Sequence, residues 1–203
     1  MTITKKEMKL NKLFFVLTSI LFSINVCSQS VWDSEKYMYK SYDYGFVWTF
    51  PNFAKWEEEV TLEKHTVFKV RQPDLGIVVY MNVNDTPIKD YWQQYDLFLQ
   101  LMEKSLIVMN KNTGAEIYDK SYKKFLLAGQ HAIEVKYKFT IKDDRYDRPI
   151  KTSVVSYYYI SNKRSYILTL QAPTEVFTFK GFEEEIASEI FKGYHILYSK
   201  KQN

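Results

Sequence analysis

The residues of this sequence best suited to chemistry are three histidines and one acidic run. His65, His131 and His195 each stand alone, without the short spacing that metal ligands on one element show. The run Asp143–Arg148 holds three carboxylates, but it lacks the alternating ligands and the terminal Glu of an EF-hand, and its arginines offset the charge. We therefore expect no metal site, no cofactor and no catalytic residue here, and we expect Asp143–Arg148 to be a solvated loop.

The common catalytic signatures are missing as well. The sequence has no Gly-rich phosphate loop, no His-Glu-x-x-His, no Gly-x-Ser-x-Gly and no pair of cysteines. No nucleophile with its base, and no metal constellation, can be assigned from spacing alone. These patterns favour a protein that is not an enzyme.

A stronger candidate is a three-stranded meander over residues 129–171. Ala132–Ile141 alternates apolar and polar residues, as a half-buried strand does, and two further extended runs follow at Lys151–Ile160 and Ser165–Gln171. A hairpin loop of two or four residues between the last two runs gives the same register. That register places Tyr157 opposite Leu168.

This register predicts one apolar and one mixed face for the meander, because directly opposed residues share a face. Matching the apolar side of the first strand to the apolar face assigns its charged side to the mixed one. Polar groups among aromatics on such a face could bind a polar ligand or a protein. The candidate binding residues are Glu134, Lys136, Ser156, Tyr158, Thr169 and Gln171. Two alternatives stay open: the face is solvated, as antiparallel sheets allow, or one helix covers its apolar half.

The tryptophans give one more candidate contact residue. Trp92 falls on a helical apolar stripe and Trp48 on a strand, so both are expected to pack in the core. Trp32 lies in the aromatic-rich stretch 29–43, which we interpret as an extended lead-in, and it is the candidate for an exposed contact.

The elements that position these residues alternate strands with two helices. Tyr44–Pro51, Thr66–Arg71 and Ile77–Val83 read as strands, and Ala115–Lys124 as another. A first helix is predicted from the Thr86-Pro87 cap onward, ending at Asn110–Gly114, with an apolar stripe at helical spacing. The second helix is predicted over 178–192. The expected fold is α+β: one antiparallel sheet with two main helices packed on it, in a single domain over 44–198.

The order of these elements resembles a known superfamily. An aromatic strand ends in Phe-Pro at Phe50-Pro51, a turn at Leu127–Gly129 enters the meander, and the meander ends in Tyr-x-Leu-x-Leu at Tyr166–Leu170. This pattern is similar to the PsbP-like and Mog-like superfamily and its bacterial envelope relatives of the DcrB type. The resemblance implies an α/β/α sandwich around an antiparallel sheet. It carries over no catalytic set, and functions vary widely among such proteins.

The first 28 residues have the pattern of a secretory signal peptide. Four lysines precede the apolar stretch Leu13–Ile24, which is short for a transmembrane helix. Residues with small or medium-sized side chains, Val26 and Ser28, precede Gln29. We expect cleavage after Ser28 and export to the periplasm or beyond, with no membrane span in the mature protein. Two alternatives stay open: a retained membrane anchor, and a lipid anchor at Cys27, although Asn25 and Val26 fit a lipoprotein signal poorly.

Removing this segment changes the charge of the protein. The segment carries four lysines and one glutamate, so its loss takes the formal net charge from +4 to +1. We expect no nucleic-acid partner, because the basic balance belongs largely to the export signal. The expected function is an exported, non-catalytic envelope domain that binds a protein partner. The alternative is a carrier for a small lipid or glycan in an aromatic-lined pocket.

Overall fold

The computed structural model describes residues 30–53, 55–60, 62, 64–85, 92–142, 148–178 and 182–197. Within them the chain forms eleven strands and three helices. The strands are β1 Ser30–Asp33, β2 Met38–Ser41, β3 Phe46–Thr49, β4 Glu57–Glu58, β5 Thr66–Gln72, β6 Ile77–Asn84, β7 Glu116–Leu127, β8 Gln130–Ile141, β9 Ile150–Ser161, β10 Arg164–Pro173 and β11 Tyr194–Ile196; the helices are α1 Tyr95–Thr113, α2 Thr174–Thr178 and α3 Phe182–Lys192.

The strands form two antiparallel sheets. The small sheet has the order β1-β2-β3-β11, and the large sheet has the order β4-β5-β6-β10-β9-β8-β7. Two hairpins of the large sheet close with two-residue turns, Ala128-Gly129 and Asn162-Lys163, in which every residue has a positive φ. Such turns match the right-handed twist of the strands they join. They therefore set the registers of β7 with β8 and of β9 with β10.

The main core lies between the two sheets. We call the face of the large sheet that packs on the small sheet its inner face. Period-two alternation on β3 points Phe46 and Trp48 inward, where both are buried, while Val47 and Thr49 face outward. Tyr39 of β2 stacks on Phe68 of β5 at 4.0 Å between ring centroids. Side chains of α3 complete this core.

The opposite, outer face of the large sheet carries α1. Its buried stripe of Phe98, Met102 and Leu106 packs over the β8–β9 half of the sheet, in contact with Ile133 and Val135. The helix ends at Gly114, whose left-handed φ of 67° lets its N–H bond to the carbonyl of Asn110. The stripe predicted from the sequence is confirmed from Tyr95 onward. The predicted start at Thr86-Pro87 lies outside the described residues.

The predicted layering of one antiparallel sheet with two main helices is wrong. Two open antiparallel sheets dominate, and α1 is the one substantial helix among the described residues. The inner face of the large sheet is covered mainly by strands, because the aromatic stretch predicted as a lead-in forms β1 and β2, which pair with β3. The predicted second helix, over 178–192, is present as α3 over 182–192, and residues 179–181 lie outside the described residues.

The predicted register of the last two strands of the meander is confirmed, and the face predicted for the charged side of its first strand is wrong. Tyr157 lies opposite Leu168, as predicted. Between β8 and β9, however, Glu134 pairs with Tyr157 and Lys136 with Val155. The charged side of β8 therefore lies on the inner face, and its apolar side lies under α1. At β8 both faces of this sheet pack against other elements, so matching apolar sides could not identify the correct one.

Candidate functional site

Among the described residues, a prominent concave surface is a groove on the outer face, on the half of the large sheet that α1 leaves uncovered. It encloses a volume of about 670 Å³. The floor is formed by β5, β6 and the ends of β9 and β10, and the segment containing Glu59 and Leu62 forms one wall. We call it the polar groove. The polar side chains that line it include Glu59, Lys69, Tyr80, Asn82, Thr152 and Gln171.

The charged side chains of the polar groove are paired with one another. Lys69 Nζ lies 2.9 Å from Glu59 Oε1, with both side chains only partly exposed. At the neighbouring rim, Arg71 Nη2 lies 3.1 Å from Glu57 Oε2. Opposite charges at this distance cancel most of each other's field. The groove therefore presents little net charge to an incoming ligand.

The uncharged polar groups of the groove retain unused hydrogen-bonding capacity. Thr66 Oγ1 donates to Asn82 Oδ1 over 2.8 Å, which leaves the amide N–H groups of Asn82 as donors. Within the described part of the chain, neither the Gln171 amide nor the Thr152 hydroxyl has a hydrogen-bond partner. Unused donors and acceptors at the floor of a groove favour a polar ligand over an apolar one.

Local sequence explains why these groups point outward together. On β6, Ile77, Val79 and Met81 are buried on the inner face, so Val78, Tyr80 and Asn82 face outward. Pairing across the sheet then aligns Val78 with Gln171 and Tyr80 with Lys69. The sequence contains this signal, because Tyr80 and Asn82 alternate with the buried Val79 and Met81 along the run predicted as a strand.

The groove contains one of the six predicted mixed-face residues, Gln171. Ser156 and Thr169 are buried, and their hydroxyls bond to each other over 3.0 Å. Tyr158 packs edge-to-face against Phe98 of α1, with 5.2 Å between ring centroids. The open alternative of a covering helix is thus confirmed for this part of the face, since α1 also covers Val154 and Ile160.

Glu134 and Lys136 are separated from the other four by the thickness of the sheet. They lie on the inner face, 3.4 Å apart as an ion pair. Burial raises the pKa of Tyr157, and the adjacent Glu134 carboxylate raises it further, so this phenol stays neutral and bonds to Glu134. The prediction that all six residues share one face is wrong, and any binding role for this pair stays a prediction.

The other candidates occupy structural positions. Trp32 is half-buried and packs on Phe50 and Phe68 at the edge of the main core, with ring centroids about 6 Å apart. His131 stacks on Trp92, and His195 is exposed on β11. Where side chains are described, no group of three or more His, Cys, Asp or Glu could hold a metal ion. Cys27 and Asp143–Asp147 lie outside the described residues.

Tyr137 is a partly buried phenol on the outer face of β8. Burial and, to a smaller degree, the nearby Tyr80 phenol raise the pKa of Tyr137 to about 12. The Tyr137 phenol therefore stays neutral at physiological pH, because a raised pKa keeps the proton bound well above pH 7. None of the described helices is long and apolar enough to span a membrane.

The sequence matches no protein-family model and no curated protein. Among solved structures, it is similar to cyanobacterial PsbP (CyanoP) from Synechocystis sp. PCC 6803, with a TM-score of 0.52 and 12% identity. That match covers 78% of this chain and 91% of CyanoP. It confirms the predicted PsbP-like fold, whereas the Mog-like and DcrB-type parts of the resemblance stay predictions.

Two weaker similarities are to bacterial proteins. A protein from Bacteroides thetaiotaomicron shares 11% identity at a TM-score of 0.45, over 78% of this chain and 47% of that one. A Pseudomonas aeruginosa protein of unknown function shares 9% identity at a TM-score of 0.38, over 75% of this chain and 92% of that one. Both TM-scores are too low to establish a shared fold.

Proposed function

We propose that this chain is an exported, non-catalytic binding domain of the bacterial cell envelope, and that it holds another envelope macromolecule in the polar groove. The observation that carries the proposal is the groove itself, a concave surface with unused hydrogen-bonding groups on a rigid sheet. A volume of about 670 Å³ lies within the range of ligand sites in proteins. A PsbP-like fold does not by itself determine a function, so the function of this domain has to be argued from its sites.

The non-catalytic part of the proposal rests on the placement of titratable groups. His65 precedes β5, His131 lies on β8 and His195 on β11, so the three histidines sit on separate elements. The carboxylate of the groove, Glu59, is held by Lys69 and is not next to a nucleophile among the described groove residues. An enzyme of the general acid–base type needs a proton-transfer group within hydrogen-bond reach of its target.

The two candidate partners from the sequence differ in the surface they need. A lipid carrier needs an enclosed apolar pocket, whereas the polar groove is open and offers hydroxyls, amides and one aromatic ring, Tyr80. The groove therefore favours a protein or a glycan over a lipid.

We predict that the groove contacts its partner in living cells. A photo-crosslinking residue, p-benzoylphenylalanine, is placed at Leu62, an exposed side chain on the wall of the groove. The matched control carries it at Ile107, an exposed aliphatic side chain on α1. Irradiation of cells should give a discrete adduct at position 62 alone, detected by immunoblot and identified by mass spectrometry. Equal adducts at both positions, or none at position 62, would contradict the proposal.

Export is tested separately by the mature N-terminus. We predict that protein purified from its own cells begins at Gln29, as intact mass and N-terminal peptide sequencing would show. A diacylated Cys27 would instead show that the chain is a lipoprotein, and a protein that still carries the residues before Gln29 would show that the segment is retained. In either of those cases the predicted cleavage after Ser28 is wrong.

A further inference from the structure

The polar groove discriminates against charged ligands. Its cation and its anion, Lys69 and Glu59, already form an ion pair, and Arg71 and Glu57 form another at the rim. A charged ligand would compete with one of these pairs and leave a partly exposed charge without its partner. The loss is modest for ion pairs with this exposure, but it disfavours the charged ligand. An uncharged ligand leaves both pairs intact.

The unused polar groups of the groove are neutral and include both hydrogen-bond donors and hydrogen-bond acceptors. The Gln171 amide donates and accepts, the Thr152 hydroxyl does both, and the Asn82 amide N–H groups donate. Gln171 and Thr152 lie on neighbouring strands two register positions apart, since Thr152 pairs with Pro173 and Gln171 with Val154. On the same face of the sheet these groups can each bond a different hydroxyl of a sugar, and each such hydroxyl also donates and accepts.

The groove does not offer a peptide its usual main-chain partners. Its floor is the face of a sheet, in which β6, β10 and β9 are each paired on both sides over much of their length, and β5 is paired with β6 and, at Val70 and Arg71, with β4. Strand addition requires an exposed edge, helix docking requires an apolar groove, and recognition of proline-rich segments requires an aromatic-lined one. The floor of the polar groove is not a strand edge, it has one aromatic ring, and polar groups interrupt its aliphatic surface, so recognition must come from side chains.

The remaining lining suits the apolar faces of sugar rings. The Tyr80 ring lies on the floor, and Val78, Ile150 and Pro173 add aliphatic surface beside the polar groups. A sugar carries hydroxyls around its edge and C–H groups on its faces, so it can use both kinds of surface at once. An aromatic ring with a polar tip is well suited to such a mixed contact.

We infer that the polar groove binds an uncharged carbohydrate, as a short segment of an envelope glycan. This inference rests on the proposed function, which makes the groove a binding site, and it adds the chemical class of the ligand. The ligand is recognised through Gln171, Thr152 and Asn82 by hydrogen bonds and through Tyr80 by ring contact.

The test is the binding of defined oligosaccharides to the mature protein, measured by two-dimensional NMR and by calorimetry. The probes are the neutral hexamers of α-1,4-glucose, β-1,4-glucose and β-1,4-N-acetylglucosamine, with the anionic hexamer of galacturonic acid as the charged counterpart. We expect at least one neutral hexamer to bind in the millimolar range or tighter, with shifts at Tyr80, Thr152 and Gln171. The galacturonate hexamer should bind at least about tenfold more weakly.

Two near-isosteric variants locate the site. Gln171→Leu and Thr152→Val each remove hydrogen-bonding groups with little change in volume, and each should weaken binding about tenfold. Gln100→Leu, at an exposed position on α1, should leave binding unchanged. Circular dichroism verifies that all three variants fold. Binding that is insensitive to both groove variants would overturn the inference.

The inference and the proposed function can fail separately. If no hexamer binds while Leu62 cross-links to a protein, the carbohydrate class is wrong and the groove remains a binding site. Preference for the galacturonate hexamer also overturns the class. If no hexamer binds and position 62 gives no adduct, both the inference and the proposed function are wrong.

Discussion

Gly193→Ala should destabilise the protein by about 4 kcal/mol or more, the upper end for a single substitution. Gly193 joins α3 to β11, and its carbonyl accepts a hydrogen bond from Thr49 N over 2.9 Å. A Cβ at this position would lie 1.8 Å from the backbone oxygen of Thr49. Backbone cannot move aside as a flexible side chain can, so β11 would have to separate from β3. The free energy of unfolding is measured by urea denaturation followed by circular dichroism.

Gly114→Ala is the matched control for this prediction. Gly114 ends α1 with a φ of 67°, but nothing lies within 4 Å of its would-be Cβ. Alanine at this position should lower the free energy of unfolding by only about 1 kcal/mol, the cost of placing a Cβ on a left-handed backbone. A Gly193→Ala protein as stable as Gly114→Ala would show that β11 does not approach β3 as described. A domain of this size has about 5–15 kcal/mol of total stability, so low accumulation of folded Gly193→Ala protein agrees with the prediction.

Trp48→Ala should cost about 4 kcal/mol, as truncation of a buried aromatic side chain does. The Trp48 ring is fully buried between Phe50 and Phe191, at centroid distances of 5.2 and 5.8 Å. Its indole N–H donates to the carbonyl of Ile190 on α3 over 2.8 Å. The side chain thus links the small sheet to α3 by packing and by a hydrogen bond. Denaturation curves of the purified variants give the loss directly.

Trp48→Phe separates the two contributions. Phenylalanine keeps part of the ring contact but leaves the Ile190 carbonyl without its buried donor, for an expected loss of about 2 kcal/mol. Trp32→Ala, at the half-buried edge of the same core, should cost less than Trp48→Ala. Equal losses for Trp32→Ala and Trp48→Ala would contradict the assignment of Trp48 to the centre of the core.

Local patterns in the sequence predicted the features that depend on neighbouring residues. The β9–β10 register follows from a turn at Asn162-Lys163 and the alternation on either side of it, and the structure confirms it. The apolar stripe of α1 and its end at Gly114 follow from helical spacing and from the freedom of glycine at a left-handed position. In each case the residues that determine the geometry lie within one element or one turn.

Features that depend on distant segments were predicted poorly. The loop between β8 and β9 is too long to set the register of the two strands. The apolar side of β8 could also pack on either face of the sheet, because both faces are covered at this strand. As a result the sequence predicts the wrong face for Glu134 and Lys136. It predicts the aromatic residues near Trp32 to be a lead-in, because nothing local shows that β1 and β2 pair with β3 and cover the large sheet.

By itself the sequence determined the strands of the meander, the amphipathic α1 and the absence of a familiar catalytic motif. Only the tertiary structure decided where polar groups meet. Glu59, Lys69, Asn82, Thr152 and Gln171 come from five separate segments, and they share a site because the strand order β5-β6-β10-β9 places those segments side by side. Strand order is set by long-range packing on the small sheet and on α1, whereas alternation reports only the two sides of one strand.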